Sequence, residues 1–447
     1  MRFIYSLHRI QGSEGIKTRV GILNSDNKMT SRRSMNSDHL IRQVMSAMIQ
    51  DHPFDFTRII SSHFRGWTDD SILSTLASIP HYFFLQPRFI GRQSTSSRRH
   101  RRPLKQMPKS HTTPNPNISF GVEKALNFYK WVEIQCGFLH SESTCREMCR
   151  VLAKSDQLQI LWGFLRENES NITTSTVTAI IKVLGELGRG REALAAFYRM
   201  KQLHCKPDVQ AYNVVISALC RVGKMKRVRL LLEQMELPGF HCPPDKYTYT
   251  ILIDAYCKRG LQTGCRKAIR RRIWEANHMF RRMIFNGFSP DVVTYNCLIN
   301  GLCKTYRIDR ALELFDEMRK KNCYPNRVTY TSFIRYYSAV NEIEKAVEMM
   351  RVMAREKHGS ATTSCYTPII HALCEDGRTR EAKELTEEMV SRGFIPREFT
   401  YNLIRHALAG EGGEDLSRSI ESGMEARYKR TLHTRPLMRI TSNSIET

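Results

Sequence analysis

The chain is 447 residues long and 41% apolar, enough for one elongated array or two to three ordinary domains, which excludes global disorder. Lys and Arg total 69 against 44 Asp and Glu, and the net charge of +25 points to a polyanionic partner, nucleic acid before membrane. No run of 18 apolar residues marks a membrane span, and the 13 cysteines include no C-x-x-C pair that would read as a zinc site.

Residues 1–35, beginning MRFIYSLHRIQGSEGIKTRVGILNSDNK, mix Arg, Lys, Ser and apolar residues with a single acid before Asp26. They lack the continuous apolar stretch of a secretory signal and read either as an organellar transit peptide or as a basic leader without structure. Met29 and Met35 are alternative starts. Residues 36–119 are expected to be partly helical with a basic linker, and residues 1–110 already hold 18 Lys and Arg against 7 Asp and Glu. Further on, His140-Ser-Glu142 repeats the first half of a zinc-deaminase signature whose P-C-x-x-C half does not follow. Neither a P-loop, a Gly-rich dinucleotide fingerprint nor a metalloprotease helix occurs, so no enzyme, cofactor or metal is expected.

From residue 120 to about 430 the chain repeats itself. PDVQAYNVVISALCR at 207–221 returns as PDKYTYTILIDAYCK at 244–258, PDVVTYNCLINGLCK at 290–304 and PREFTYNLIRHALAG at 396–410. Anchors at Tyr212, Tyr249, Tyr295, Tyr330, Tyr366 and Tyr401 are spaced by 37, 46, 35, 36 and 35 residues; Val177 and Cys145 anchor two degenerate copies upstream. That makes about eight units of about 35 residues, the period of a solenoid of helical hairpins. Tyr295, Leu298, Ile299 and Leu302 share one face of a first helix, and Ala311, Leu314, Phe315 and Met318 one face of a second.

The punctuation is equally regular. Gly188, Gly223, Gly260, Gly377 and Gly412 stand eleven residues after their anchors, where a left-handed residue should end the helix; Asn341 suits that slot and Tyr306 breaks the pattern. Pro207, Pro244, Pro290, Pro325 and Pro396 mark the turn into the next unit, and Met200, Met235, Met283, Met318, Met353, Met389 and Met424 close the second helices. Cys220, Cys257, Cys303 and Cys374 fall eight residues after an anchor, as small buried hydrophobes in a reducing compartment would. The 46-residue unit carries about eleven extra residues near 262–272. Arg266, Lys267, Arg270, Arg271 and Arg272 make this an inserted basic helix, read as a solvated face or a phosphate-contacting extension, with a nuclear localisation signal as a third reading. Residues 431–447 form a basic tail too short for a catalytic domain.

The 35-residue pitch, the TYN-x-L-I-x-x-L-C-K phrase at 294–304 and the ALELFDEM phrase at 311–318 resemble pentatricopeptide repeats, and ALNFYKW at 125–131 resembles the entry of such arrays in land plants. The Trp-Leu-Gly-Tyr pattern of tetratricopeptide repeats is absent. The resemblance implies an all-α, right-handed superhelical solenoid of the plain P class. It also implies single-stranded RNA as partner, in the mitochondrion or alternatively the chloroplast, and action by occupancy in RNA processing, stabilisation or splicing, together with other RNA-processing proteins. A helical scaffold for proteins is the alternative.

In that family one base is read per repeat, by the residue after the anchor and the residue four before the next anchor. Here those pairs are Thr178 with Asp208, Asn213 with Asp245, Thr250 with Asp291, and Asn296 with Asn326. By analogy Thr/Asp prefers G, Asn/Asp prefers U, and Asn/Asn prefers C or U. Arg146 with Thr173, Thr331 with Thr362, and Thr367 with Arg397 have no such reading. Asp208, Asp245 and Asp291 also stand where an N-cap belongs, and both roles together are expected. Tyr247, Val293, Val328 and Phe399, two before their anchors, occupy the positions that pack against bases in the family.

Overall fold

The computed structural model describes residues 39–49, 66–84, 116–239, 242–262, 264–356 and 361–410. The expected leader at 1–35, Gly412, Met424 and the tail at 431–447 lie outside the described residues, as does nearly all of the basic linker. Among the described residues every regular element is helical, as the apolar spacing requires.

Two compact units divide the chain at Val222 and Gly223. The first holds α1 (39–49), α2 (Asp69–Ile79), α3 (Pro116–Cys136), α4 (Glu142–Lys154), α5 (Leu158–Glu167), α6 (Thr174–Glu186), α7 (Gly190–Arg199) and α8 (Val209–Arg221). The second holds α9 (Met225–Met235), α10 (Lys246–Gln262), α11 (Arg266–Phe285), α12 (Val292–Lys304) and α13 (Ile308–Lys320), then α14 (Arg327–Ala339), α15 (Ile343–Arg355), α16 (Thr363–Glu375), α17 (Thr379–Ser391) and α18 (Glu398–Gly410). From α4 onward the even-numbered helices are the first helices of successive repeats. Each starts three residues before its anchor, and all but α10 are 13 residues long.

The core of each unit is a row of first helices, flanked by the second helices. In the first unit α4 packs on α6 and α6 on α8; in the second, α10, α12, α14, α16 and α18 pack in succession. The anchors sit in these seams. Tyr249, Tyr295, Tyr330 and Tyr366 are fully buried, as are Val177 and Cys145, while Tyr401 is half-buried. A buried phenol needs a partner, and the second helices supply it. Tyr295 donates to Glu317 at 3.2 Å, Tyr366 to Glu388 at 3.0 Å, and Tyr330 to Glu356. Burial and the adjacent carboxylate push the Tyr366 phenol up to about 12.

Small residues let the first helices approach. A Cβ added at Gly185 would stand 2.6 Å from the Ala218 Cβ, and one at Gly301 2.5 Å from the Cys257 Sγ. Gly185 and Cys257 both lie eight residues after an anchor, and Ala218 and Gly301 both lie six after. Position eight of one repeat therefore meets position six of the next, which is why Cys, Gly and Ala recur there. Cys220, Cys257 and Cys303 are buried as expected; Cys374 is half-buried instead.

Helix ends follow the expected punctuation, with two corrections. Gly188, Gly223, Asn341 and Gly377 take positive φ, and so do Tyr306 and Asp156, so the slot imposes the left-handed conformation even without glycine. The chain then reverses through bonds such as Arg307 N–H to Leu302 O at 3.0 Å. Gly260 does not end a helix: α10 runs past it to Gln262. The extra residues of this repeat are likewise no separate helix. They lengthen α10 to 17 residues and α11 to 20, against 13 in α12 and α13. A second left-handed slot, four residues after the closing Met, holds His204, Gly239, Gly287, Asn322 and Gly393. The sequence reading passed over it, although Gly and Asn at a fixed offset were its signal.

Thiol reactivity should report this packing. Burial pushes the Cys257 and Cys303 thiols up to about 12, whereas Cys265 is exposed at the start of α11, where the N–H groups of Ala268 and Lys267 hold its thiol below the ordinary range. Iodoacetamide at neutral pH should therefore modify Cys265 first, and Cys257 and Cys303 only after denaturation. Peptide mapping by mass spectrometry checks this, and labelling of native Cys257 would contradict the seam described above.

Candidate nucleic-acid interface

The paired and apolar residues singled out from the sequence lie at the starts of first helices, and the basic run at the start of α11. A helix start leaves backbone N–H groups without intrahelical partners, and a short polar side chain just ahead of it satisfies them. Asp208 Oδ1 accepts from the Ala211 amide at 2.7 Å, Asp245 Oδ1 from Thr248 at 2.8 Å and Asp291 Oδ1 from Thr294 at 2.9 Å. Asn326 Oδ1 accepts from Val328 at 3.0 Å and Thr329 at 3.3 Å. All four cap their helices through one oxygen, Oδ1, each cap contributing about 1 kcal/mol of stability.

One turn further on stand the residues that follow the anchors. Thr178, Asn213 and Asn296 are only 6%, 9% and 8% exposed, and Thr250 is half-buried. Two of the four pairs are joined by hydrogen bonds. Asn296 Nδ2 donates to Asn326 Oδ1 at 3.1 Å. Thr250 reaches Asp291 through Thr294, whose Oγ1 is 2.9 Å from the Thr250 hydroxyl and 2.9 Å from Asp291 Oδ1. Thr178 lies in α6 and Asp208 at the start of α8, and the Thr178 hydroxyl is buried with no hydrogen-bond partner. Asn213 belongs to the first unit and Asp245 to the second.

The connecting threonines were not singled out from the sequence. Thr144, Thr176, Thr248, Thr294, Thr329 and Thr400 all directly precede an anchor, and all are buried. Thr329 Oγ1 donates to Asn296 Oδ1 at 2.6 Å, so the residue after the anchor of one repeat is tied to the start of the next first helix. The recurring Thr-Tyr dipeptide was the available signal. The Thr331 and Thr250 hydroxyls both also donate to their own helices, to Arg327 O at 2.7 Å and Lys246 O at 3.0 Å, and the Thr362 side chain makes no cap bond.

Charge and apolar surface complete the site. Burial works against the Asp291 carboxylate, yet the Thr294 amide and Lys246, 3.0 Å away, outweigh it and hold its carboxyl below the ordinary range. Tyr247, Val293, Val328 and Phe399, apolar residues that would be stabilised by burial, are 63%, 59%, 56% and 70% exposed. Each is the second residue of a first helix. Among the basic residues of the lengthened repeat, Arg266, Lys267, Arg270 and Arg271 are exposed, whereas Arg272 is half-buried beside Gly260.

His140 is accounted for otherwise. It stacks on Tyr129 with ring centroids 3.5 Å apart, and a ring nitrogen lies 3.0 Å from Tyr129 O. Among the described residues no cluster of His, Cys, Asp and Glu has metal-site geometry, and no helix is long and apolar enough to cross a membrane.

In comparison with known proteins, the PPR repeat family model matches residues 173–221, 207–258, 269–304, 290–338 and 361–410, and the PPR repeat model matches 328–358. Pentatricopeptide repeat-containing protein At1g77405 of Arabidopsis thaliana is 52% identical over 429 residues, covering 90% of this chain and 93% of the relative. A relative from the same plant named as chloroplastic is 25% identical over 54% of this chain and 29% of its own length. Another, named as mitochondrial, is 24% identical over 64% of this chain and 48% of its own. Among solved structures, maize PPR10 in complex with an 18-nt psaJ RNA element is similar at 18% identity and a TM-score of 0.37, over 72% of this chain and 57% of that one.

Proposed function

This chain belongs to the pentatricopeptide repeat family, and from that premise we propose that it binds a defined single-stranded RNA in a plant organelle, one base per repeat. The observation that carries the reading is the recurrence of a short polar side chain directly after the anchor and of a capping Asp or Asn at the next first helix, joined by hydrogen bonds in the Thr250/Asp291 and Asn296/Asn326 pairs. Amides, hydroxyls and carboxylates are the groups that meet a base's Watson–Crick edge. The exposed side chains of Tyr247, Val293, Val328 and Phe399 offer surfaces on which bases pack, at about 1–3 kcal/mol for each aromatic stack.

Reading from the RNA's 5′ end, the pairs from Thr178 to Asn326 specify G-U-G followed by C or U. The chain acts by occupancy: it shields a transcript from nucleases, remodels local RNA structure, or assists splicing or end formation. Organellar residence fits the basic leader and the organelle names of two relatives.

Recovery of RNA with the tagged chain from isolated organelles tests the reading, and a discrete transcript containing that order is expected. Capture of proteins that survives ribonuclease treatment, without enriched RNA, would replace it with a protein scaffold. In vitro, log affinity for such an RNA should fall with log salt by about 0.7 per phosphate neutralised. Replacing Arg266, Lys267, Arg270, Arg271 and Arg272 by Gln should flatten that slope without altering base preference; an unchanged slope would make the run a solvated face.

A further inference from the structure

Helix α11 differs from its sibling second helices on the face turned away from the array. Its buried face, Ile273, Ala276, Phe280 and Met283, packs on α10 and α12. On the opposite face Lys267, Arg270, Trp274, His278, Arg281 and Phe285 are all exposed, with helical spacing that puts them in one stripe roughly 27 Å long. Trp274 is 64% exposed and Phe285 90%. The Trp274 and His278 rings stack, with centroids 5.3 Å apart and planes 4° from parallel.

Two features make this stripe unlike a solvated helix face. The exposed faces of α13, α15 and α17 mix signs, with Asp309, Glu344 and Glu381 in their first turns, while α9 shares the acid-free first turn of α11 but contains no aromatic residue. The first turn of α11 has no acid and instead carries Arg266 and Lys267, next to the positive end of the helix dipole, where cations are unfavourable. The nearby Glu275 is half-buried and shared between Arg229 at 3.8 Å and Arg271 at 3.7 Å. The stripe thus combines unopposed positive charge with flat aromatic surface. That combination fits a flexible nucleic-acid strand, whose phosphates meet the cations while its bases stack on the rings.

We propose that the outer face of α11 is a second, sequence-tolerant contact for single-stranded RNA, holding nucleotides that flank the bases read along the first helices. It rests on the RNA-binding reading above, shares Lys267 and Arg270 with the basic run named there, and adds Trp274, His278, Arg281 and Phe285. The stripe faces away from α10 and α12, whose starts carry Thr250 and Asp291.

The full chain should be titrated with two fluorescent RNAs: the G-U-G-C core alone, and the same core extended by a single-stranded oligo(A) tail. The tail should tighten binding by about tenfold, a stack plus phosphate contacts. Trp274→Ala, and separately His278→Gln with Arg281→Gln, should remove that gain while leaving affinity for the core alone unchanged. Both variants alter exposed side chains, and an unchanged melting temperature verifies the fold. If a scrambled core binds as well as G-U-G-C, the base-reading proposal fails, and this inference with it. If the core is preferred but the tail adds nothing, or the variants retain its gain, only the stripe is overturned. Polyglutamate bound by the native chain and lost in Trp274→Ala, with no tail effect, would reassign the stripe to an acidic protein and also overturn the inference.

Discussion

Tyr330→Ala should be the most damaging single substitution in the second unit. The ring is fully buried, meets Phe315 edge to face at a centroid distance of 5.7 Å, and its hydroxyl donates to Glu356. Truncation removes the aromatic packing and leaves a cavity between α14 and its neighbours, at a cost of about 3–5 kcal/mol. It also strips Glu356 of one of its donors; Arg319, at 2.6 Å, remains. Because repeats are stabilised mainly through their neighbours, the loss should break the array at this seam, and denaturation should show an early transition not seen in the native chain. Tyr330→Phe keeps the ring and should cost only about 1 kcal/mol. Tyr247→Ala, on an exposed aromatic, should stay within about 0.5 kcal/mol. Urea denaturation followed by far-UV circular dichroism ranks the three, and a Tyr330→Ala chain as stable as Tyr247→Ala would mean that the anchors do not hold the stack.

The second large effect concerns base choice. Thr250→Asn should move preference at the third base from G to U, because it converts a Thr/Asp pair into an Asn/Asp pair. The next repeat shows that the position accepts Asn: Asn296 bonds the cap Asn326 and the connecting Thr329. At residue 250 the corresponding groups are Asp291 and Thr294, already joined to each other at 2.9 Å. The reciprocal Asn213→Thr should move the second base from U to G, so the double variant should prefer G-G-U over G-U-G. Each mismatched contact plausibly costs about 1 kcal/mol, and the two together about tenfold or more in relative affinity. Competition between the two RNAs measures this. The caps are untouched, so stability should change little. A double variant that still prefers G-U-G would leave Thr250 and Asn213 with a structural role only.

How much of this was legible in the sequence follows from the range of the forces involved. The period, the anchors and the left-handed slot at Gly188, Asn341 and Gly377 are local. Helical spacing and the freedom of Gly or Asn at positive φ act within one turn of chain. That is why every first helix could be placed from its Tyr or its substitute. The capping role of Asp208, Asp245 and Asp291 was legible for the same reason, since a cap bonds amides two or three residues on.

Other features depend on what a residue meets across a seam. Cys257 reads as a small apolar residue, and only the approach of Gly301 from the next helix explains its size. Thr294 and Thr329 look like ordinary helix-start residues until the neighbouring repeat supplies Thr250 and Asn296 as partners. The eleven extra residues read as an inserted basic helix, whereas in the structure they lengthen α10 and α11. Burial of Ile273 extends the packing of α11 on α10 and turns Lys267, Arg270 and Trp274 outward together. The sequence by itself determined where each repeat begins, turns and ends, because those features are set by bonds between near neighbours. Tertiary structure alone decided which side chains were buried, joined or left facing solvent, because desolvation and packing depend on groups tens of residues away.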